Sequence, residues 1–125
     1  MSIRQITFHS VEIVPKGWGE ERHIINNDLY CGKILCFTKG KSFSNHFHFI
    51  KEETWYVIKG KLKLTYFNLS NANKIEKELN IGDIIHIPPG NPHQLEALED
   101  SEIFEVSTTD RSEDSYRIGK GASQR

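Results

Sequence analysis

The segment GKSFSNHFHFIKEETWYVIKG, residues 40–60, decides both the fold and the chemistry of this chain. In an extended strand, residues two apart point to the same face, so His46 and His48 direct their imidazoles together while Phe47 turns to the other side. Glu53 opens the next run of strand-forming residues, where its carboxylate offers an oxygen ligand beside the two imidazoles. The segment therefore predicts three corners of a metal site.

A second segment, GDIIHIPPGNPH at residues 82–93, has the composition of a turn, a short strand and a tight Pro/Gly turn that ends in His93. His93 can supply a fourth ligand. Three neutral imidazoles and one carboxylate suit Mn, Fe, Co, Ni or Zn better than Ca or Mg, because nitrogen donors are poor partners for hard cations. The sequence predicts one divalent transition metal held by His46, His48, Glu53 and His93.

The rest of the chain repeats short runs rich in β-branched and aromatic residues, separated by Gly, Pro and Asn, without a long amphipathic helical period. The runs lie at residues 11–14, 34–38, 54–58, 61–67, 84–87 and 103–107. This rhythm predicts one all-β domain over residues 1–118, an antiparallel sandwich or closed barrel. The polar segment 119–125 has nothing to bury and is predicted to be a flexible tail.

Composition and charge argue against several classes of partner. The chain has 16 basic and 17 acidic residues with no basic stretch, which does not favour nucleic acid. No apolar run approaches the ~18–20 residues that a bilayer requires, and Met1–Ser10 lacks a signal-peptide core. Cys31 and Cys36 lie five apart in one predicted strand, point to opposite faces and fit a reducing compartment. We expect a cytoplasmic protein with no nucleic-acid or membrane partner.

The spacing of glycines and ligands resembles the two motifs of the cupin superfamily. The first motif is matched by Gly40, His46, His48, Glu53 and Gly60. The second is matched by Gly82, Pro88, Gly90 and His93, with Ala97 where Asn is often found. Residues 61–81 between the motifs form a predicted hairpin with its tip near residues 70–73. The resemblance implies a small cupin β-barrel, a double-stranded β-helix or jelly roll. Its histidines bind a metal or, in the alternative, are only packed and hydrogen-bonded.

Flanking residues are similar to the cupin domain of mannose-6-phosphate isomerases and the fused sugar-nucleotide enzymes. The similarity covers roughly residues 15–118 and includes Lys16-Gly17-Trp18-Gly19, where that family usually has Pro in place of Gly17. It implies an isomerase or epimerase that acts on a sugar or sugar phosphate. Because cupin barrels commonly pair through sheet edges, the resemblance also implies a homodimer.

Such an isomerase needs a base beside its metal. The metal polarises the carbonyl and acidifies the adjacent C–H, and the base moves the proton between carbons. Glu105 is the first candidate, if the strand face that it shares with Ile103 and Ser107 points into the barrel; the alternative is an exposed or salt-bridged glutamate. Lys33 is a candidate to hold a substrate anion at the barrel mouth, and its alternative is a solvated strand residue.

Three further residues are candidates for binding the substrate. Trp18 and Trp55 lie near the predicted mouth and could stack on a sugar face, although aromatic residues in a small barrel also form the core. Arg111 follows the last strand and could bind phosphate bidentately, although residues 110–114 fit a solvated, self-paired loop equally well.

Two other functions would use the same four ligands. An Fe(II)-dependent oxygenase also needs histidine and carboxylate ligands with open positions, and it would consume oxygen. A non-catalytic sugar or metabolite binder would use the pocket as a receptor, with binding but no turnover.

Overall fold

The protein folds into two antiparallel β-sheets that enclose one core, as seen in a computed structural model that describes residues 3–118. In chain order the strands are β1 Glu12–Lys16, β2 Gly19–Asn26, β3 Cys31–Phe37, β4 His46–Phe47, β5 Glu53–Lys59, β6 Lys61–Phe67, β7 Lys74–Asn80, β8 Ile84–Ile87, β9 His93–Ala97, β10 Ser101–Ser107 and β11 Tyr116–Arg117. One sheet has the order β1-β2-β3-β10-β5-β8 and the other β11-β4-β9-β6-β7. The prediction of an all-β antiparallel jelly roll is confirmed, and the predicted tail 119–125 lies outside the described residues.

Helical structure is minor in this part of the chain. A 3-10 turn, Ser112–Asp114, precedes β11. Within residues 3–118, no helix is long and apolar enough to cross a membrane.

The hydrophobic core lies between the sheets and comes from alternate residues of the strands. Ile103 of β10 and Val57 of β5 are fully buried, whereas Tyr56, the neighbour of Val57, is 47% exposed. This alternation has the period of two that a strand with one buried face requires. Trp18 belongs to the same core, and its ring stacks on Phe37 with the centroids 4.5 Å apart. Polar residues at inward positions of these strands are therefore carried into the barrel.

Strand β2 is not predicted by the sequence, because its residues GEERHIIN are mostly polar. In the structure β2 pairs with β3, and its Glu21 and His23 line a cavity. A strand whose inward face is polar lacks the apolar alternation that reveals strands in a sequence. The predicted hairpin at residues 61–81 is confirmed, since β6 and β7 pair along their whole lengths.

Two glycines occupy backbone positions that other residues do not fit. Gly60, between β5 and β6, has a φ of +83°, and a Cβ there would lie 2.3 Å from Ser101 Oγ and 2.4 Å from Asp100 O. Gly19 has a φ of +149°, and its Cβ would lie 1.9 Å from the carbonyl oxygen of Cys36. Both positions need a residue with no side chain. The Trp-Gly pair is therefore an element of packing.

Candidate metal centre

Four side chains from the two predicted clusters meet inside the barrel. His46 of β4 pairs in register with His93 at the start of β9, and His48 directly follows β4. One nitrogen from each of these three histidines lies within 4.8 Å of the other two. Glu53 opens β5, and its Oε2 lies 3.6 Å from His48 Nε2 and 4.0 Å from His93 Nε2. Three imidazoles thus converge on one point, and the Glu53 carboxylate lies beside two of them.

Each of the three imidazoles is oriented by a backbone carbonyl. A carbonyl only accepts hydrogen bonds, so the ring nitrogen that faces it must carry the proton. The pairs are His46 Nδ1 with Ser44 O at 2.7 Å, His48 Nδ1 with Asp114 O at 2.8 Å and His93 Nδ1 with Asn91 O at 2.8 Å. Each Nε2 is then the nitrogen with the free lone pair, which is the tautomer that a metal ligand needs.

Burial keeps the three histidines neutral. Desolvation lowers the pKa of His46 to about 3 and the pKa of His93 to about 4. It also lowers the pKa of His48, with a further contribution from the Lys51 ammonium. At pH 7 all three rings are uncharged, and the uncharged imidazole is the form that binds metals.

The carboxylate of Glu53 is held by one oxygen and unpaired at the other. Trp55 Nε1 donates a 2.6 Å hydrogen bond to Glu53 Oε1. Glu53 Oε2 and His93 Nε2 are buried and have no hydrogen-bond partner. A buried polar atom without a partner is costly unless an ion or a water satisfies it. Two such atoms, 4.0 Å apart beside two further imidazoles, fit a divalent transition metal.

A chain of alternating charges lines the wall of the same cavity, which has a volume of about 510 Å3. Five side chains take part, and none of their charges stands alone. The contacts are Glu105 Oε2 to Lys51 Nζ at 2.8 Å, Lys51 Nζ to Asp110 Oδ1 at 3.4 Å, Asp110 Oδ2 to Lys33 Nζ at 2.7 Å and Lys33 Nζ to Glu21 Oε1 at 3.3 Å. We call these five residues the charge chain.

The charge chain shifts the pKa values of its members in opposite directions. Burial would lower the pKa of Lys33, but Glu105, Glu21 and Asp110 together raise it well above its usual range. The pKa of Asp110 is lowered, because the two lysine ammonium groups outweigh the effect of burial. Burial and the nearby charge of Glu53 raise the pKa of Glu105 despite its ion pair with Lys51. Glu105 is therefore the most basic carboxylate of the charge chain.

The structure places the predicted catalytic residues as follows. Glu105 points into the barrel and is buried, not exposed, and its carboxylate is salt-bridged to Lys51. Lys33 lines the cavity but is buried between Asp110 and Glu21. Its charge is already matched by two carboxylates, so it does not offer the unpaired cation that was expected at the mouth.

The predicted substrate-binding residues lie in two different environments. Trp18 and Trp55 are 2% and 1% exposed, so neither presents an open ring face to a sugar. This corrects the expectation of stacking: both rings pack in the core, and Trp55 orients Glu53. Arg111 is exposed and lines the mouth of the cavity.

Two residues that matter for this site are not found by reasoning from the sequence. Lys51 lies in the spacer between His48 and Glu53, where a lysine is expected to be solvated, yet it is buried against Glu105. Asp114 belongs to a segment that reads as a solvated loop, yet its side chain is also buried. The weak available signal for Lys51 is its position inside the first motif.

Comparisons with known proteins find solved structures with a similar fold. Among solved structures, oxalate decarboxylase from Bacillus subtilis is 18% identical with a TM-score of 0.73, over 86% of this chain and 30% of that chain. The capsular polysaccharide assembling protein CapF from Staphylococcus aureus is 19% identical with a TM-score of 0.74, over 90% of this chain and 33% of that chain. The chain thus spans about a third of the length of these structures, and at these identities the likeness shows the fold alone.

Three further comparisons concern another solved structure, curated protein sequences and protein families. Another structure of the Bacillus subtilis oxalate decarboxylase, which has Mn(II) centres, is 19% identical over 86% of this chain and 30% of that chain, with a TM-score of 0.72. No curated protein matches the sequence significantly. A family model described as a cupin domain matches residues 33–107, more than half of the chain. The chain therefore belongs to the cupin domain family.

Proposed function

We propose that the protein is a metal-dependent isomerase or epimerase that acts on a sugar or a sugar phosphate. The observation that carries the proposal is the position of Glu105, a buried carboxylate of raised pKa, in the same cavity as the three convergent histidines. Metal ligands and a base in one cavity are the two parts that aldose–ketose isomerisation needs. The similarity of fold to a capsular polysaccharide assembling protein supports a carbohydrate as substrate.

The metal would be held by His46, His48, Glu53 and His93, and Mn, Fe, Co, Ni and Zn all suit this donor set. When bound, a divalent ion polarises a carbonyl group and acidifies the adjacent C–H bond. The other parts of the reaction fall to side chains of this protein.

Glu105 is the base in this proposal. Lys51 Nζ and Ser107 Oγ both donate to its Oε2, at 2.8 and 3.1 Å, which fixes the carboxylate and directs Oε1 as the proton acceptor. The proton taken from C2 is held on Oε1 and returned to C1 while the hydroxyl proton passes from O2 to O1, which converts an aldose to a ketose. Epimerisation additionally requires the substrate to turn its other face to Oε1 before the proton returns to the same carbon.

The mouth of the cavity favours an anionic substituent on the substrate. Lys16 and Arg111 are exposed there, whereas the lysines of the charge chain are already paired with carboxylates. A guanidinium group binds a phosphate bidentately and an ammonium group adds a point charge. We therefore propose Arg111, and not Lys33, as the residue that binds a phosphate group at the mouth.

The first experiment measures metal content and then proton exchange. Purified protein and the His48→Ala variant are analysed for metals, and we expect about one ion per chain in the former and a loss of 10-fold or more in affinity in the latter. The metal-loaded protein is then incubated in D2O with aldoses, ketoses and their phosphates. We expect deuterium at the carbon next to the carbonyl, detected by NMR.

Variants on one strand separate a catalytic carboxylate from a general effect of charge. Glu105→Gln is expected to lower deuterium incorporation by 100-fold or more, the range seen for general bases. Glu102 also lies on β10 but points outward. Glu102→Gln should therefore leave deuterium incorporation unchanged. The proposal is refuted if metal-loaded protein exchanges no deuterium with any sugar, or if Glu105→Gln exchanges it normally. Oxygen consumption by the iron form would favour an oxygenase instead.

A further inference from the structure

Among the histidines that line the cavity in the described part of the chain, His23 has no part in the proposed reaction. It lies on β2, its side chain is 31% exposed, and its Nε2 lies 2.7 Å from Glu21 Oε1. An ionised carboxylate only accepts hydrogen bonds, so Nε2 carries the proton and Nδ1 of the neutral ring has a free lone pair. Within residues 3–118, no hydrogen bond occupies Nδ1 of His23.

Glu21 is ionised and stands behind the His23 ring. Burial would raise the pKa of Glu21, but the Lys33 ammonium and the hydrogen bond from His23 outweigh burial and lower it. Lys33 Nζ lies 3.3 Å from the same Oε1 that accepts from His23. A carboxylate in this position fixes the tautomer of an imidazole and stabilises the imidazolium that forms when the ring accepts a proton. Glu21 and His23 therefore have the arrangement of a general acid–base pair, which we call the β2 dyad.

A β-bulge in β2 lies directly beside His23. The register with β3 is regular as far as His23, which is opposite Lys33, and it then shifts so that Ile25 is opposite Gly32. After the shift Asn26, and not Ile25, lines the cavity. Bulges are over-represented next to active sites, where they redirect side chains. The bulge thus keeps the cavity face of β2 polar and indicates a functional position for His23.

We infer that His23, oriented by Glu21, opens the hemiacetal ring of a sugar bound in the cavity. The role of this step rests on the proposed function, because isomerisation needs the open-chain aldehyde. Nδ1 takes the proton of the anomeric hydroxyl, O1. The C1=O1 double bond then forms as the C1–O5 bond breaks, and the electron pair of that bond goes to O5. Because O1 and O5 are bonded to the same carbon, Nδ1 can return this proton to O5, and no other reactant is needed.

The reverse of this step gives the cavity a second activity. The open-chain aldehyde can close its ring on either face of C1, so repeated opening and closing interconverts the two anomers. This mutarotation uses only the proton that Nδ1 holds and requires neither a metal nor Glu105. It can therefore be measured separately from isomerisation.

The spacing of the strands allows one sugar to reach both His23 and Glu105. His23 pairs in register with Lys33, and Lys33 with Glu105, so one strand separates the two residues. Neighbouring strands are about 4.8 Å apart, which places the two backbones about 10 Å apart. A contact of about 3 Å at each end leaves about 4 Å between them, the width of one sugar ring. The cavity of about 510 Å3 has the size of a small-molecule site.

The test is the rate of mutarotation of 2-deoxy sugars. These sugars form hemiacetals but lack the O2 that a ketose needs, so they report ring opening alone. The probes are 2-deoxy-D-glucose and 2-deoxy-D-galactose, followed by polarimetry, and their 6-phosphates, followed by NMR exchange spectroscopy. We expect the protein to accelerate mutarotation of at least one probe above the rate in buffer, and His23→Gln to lower this acceleration 100-fold or more.

His86→Gln is the matched control. His86 is also a histidine paired with a glutamate, since its Nε2 lies 2.5 Å from Glu52 Oε2, but neither residue lines the cavity. This variant should keep the full acceleration. Glu21→Ala tests the positioning role of the carboxylate: the acceleration should fall, and the 15N chemical shifts of the His23 ring should change from the Nε2–H tautomer to a mixture of tautomers.

Several results would overturn the inference. The protein accelerates mutarotation of none of the probes, His23→Gln accelerates it normally, or His86→Gln loses as much as His23→Gln. Circular dichroism of each variant verifies the fold. Ring opening and the proposed isomerisation fail separately. Mutarotation without deuterium incorporation in D2O refutes the isomerase and leaves the role of His23 in place, whereas deuterium incorporation without faster mutarotation refutes only the role of His23.

Discussion

Asp114 is predicted to brace the loop that carries His48, one of the three convergent histidines. Asp114 is 4% exposed, and its carboxylate accepts hydrogen bonds from the backbone N–H groups of Phe49, Ile50 and Lys51, the nearest at 2.9 Å. Its carbonyl oxygen accepts the hydrogen bond from His48 Nδ1 at 2.8 Å. One residue therefore fixes both a ligand ring and the three residues that follow that ligand.

The Asp114→Ala variant removes the carboxylate and leaves three peptide N–H groups without their acceptor. A hydrogen bond to a charged group contributes about 1.5–3 kcal/mol, and water can replace part of this for Phe49 and Ile50, whose side chains are exposed. We expect a loss of about 3–5 kcal/mol in the free energy of unfolding, measured by urea denaturation. Because the loop then no longer fixes His48, metal affinity should fall about 10–100-fold in a chelator competition assay.

Two variants provide the controls for this prediction. Glu113→Ala changes an exposed carboxylate in the same 3-10 turn and should alter neither quantity. Asp114→Asn keeps one acceptor oxygen but turns an NH2 group toward a backbone donor, so its effects should be intermediate. The reasoning is refuted if Asp114→Ala unfolds like Glu113→Ala. It is also refuted if Asp114→Ala is destabilised but binds metal with unchanged affinity.

Three further predictions concern the rest of the site and the fold. Trp55→Phe keeps an aromatic ring in the core but loses the hydrogen bond to Glu53, so metal affinity measured by calorimetry should fall about 10-fold or more; unchanged affinity would remove Trp55 from the site. Gly60→Ala places a Cβ against backbone atoms at a φ of +83°, so the free energy of unfolding, measured by heat and by urea, should fall by at least about 1–3 kcal/mol. An unchanged free energy of unfolding would contradict this turn geometry. Because the folded-state pKa of Asp110 is depressed, its contribution to stability is present above its unfolded pKa of about 3.8 and is lost as the pH falls below it. Unfolding free energies measured from pH 7 to 3 should therefore decline less steeply in Asp110→Asn, and equal slopes would argue against this ion pair.

The fold and the clustering of the histidines were open to prediction because they rest on local regularities. His46 and His48 share a face by the period of a strand, and the glycines of both motifs mark turns whose backbone has positive φ. Both features can be recognised within short segments of sequence. The structure keeps them because strand geometry and pairing with neighbouring strands, rather than contacts between distant side chains, determine them.

The charge chain was not open to prediction in the same way. Lys51 and Asp110 are 59 residues apart and meet only because the segment after β10 folds back over the cavity. Neither residue has a local pattern that separates a buried lysine from a solvated one. Strand β2 was missed for the same reason, since the polar face that it presents to the cavity hides its period. The residues that sequence reasoning missed are thus those whose buried charges are stabilised by partners far along the chain.

Charge and burial together explain why Lys33 and Lys51 stand beside the candidate metal centre. Without them, four carboxylates would share one cavity with neutral imidazoles, and each buried negative charge would raise the pKa of the others. The two ammonium groups keep Asp110 ionised and hold Glu105 in place. The lysines therefore act on the site as fixed counter-charges. Because their charges are already matched, the proposal assigns the binding of an anionic group to an exposed residue at the mouth, Arg111.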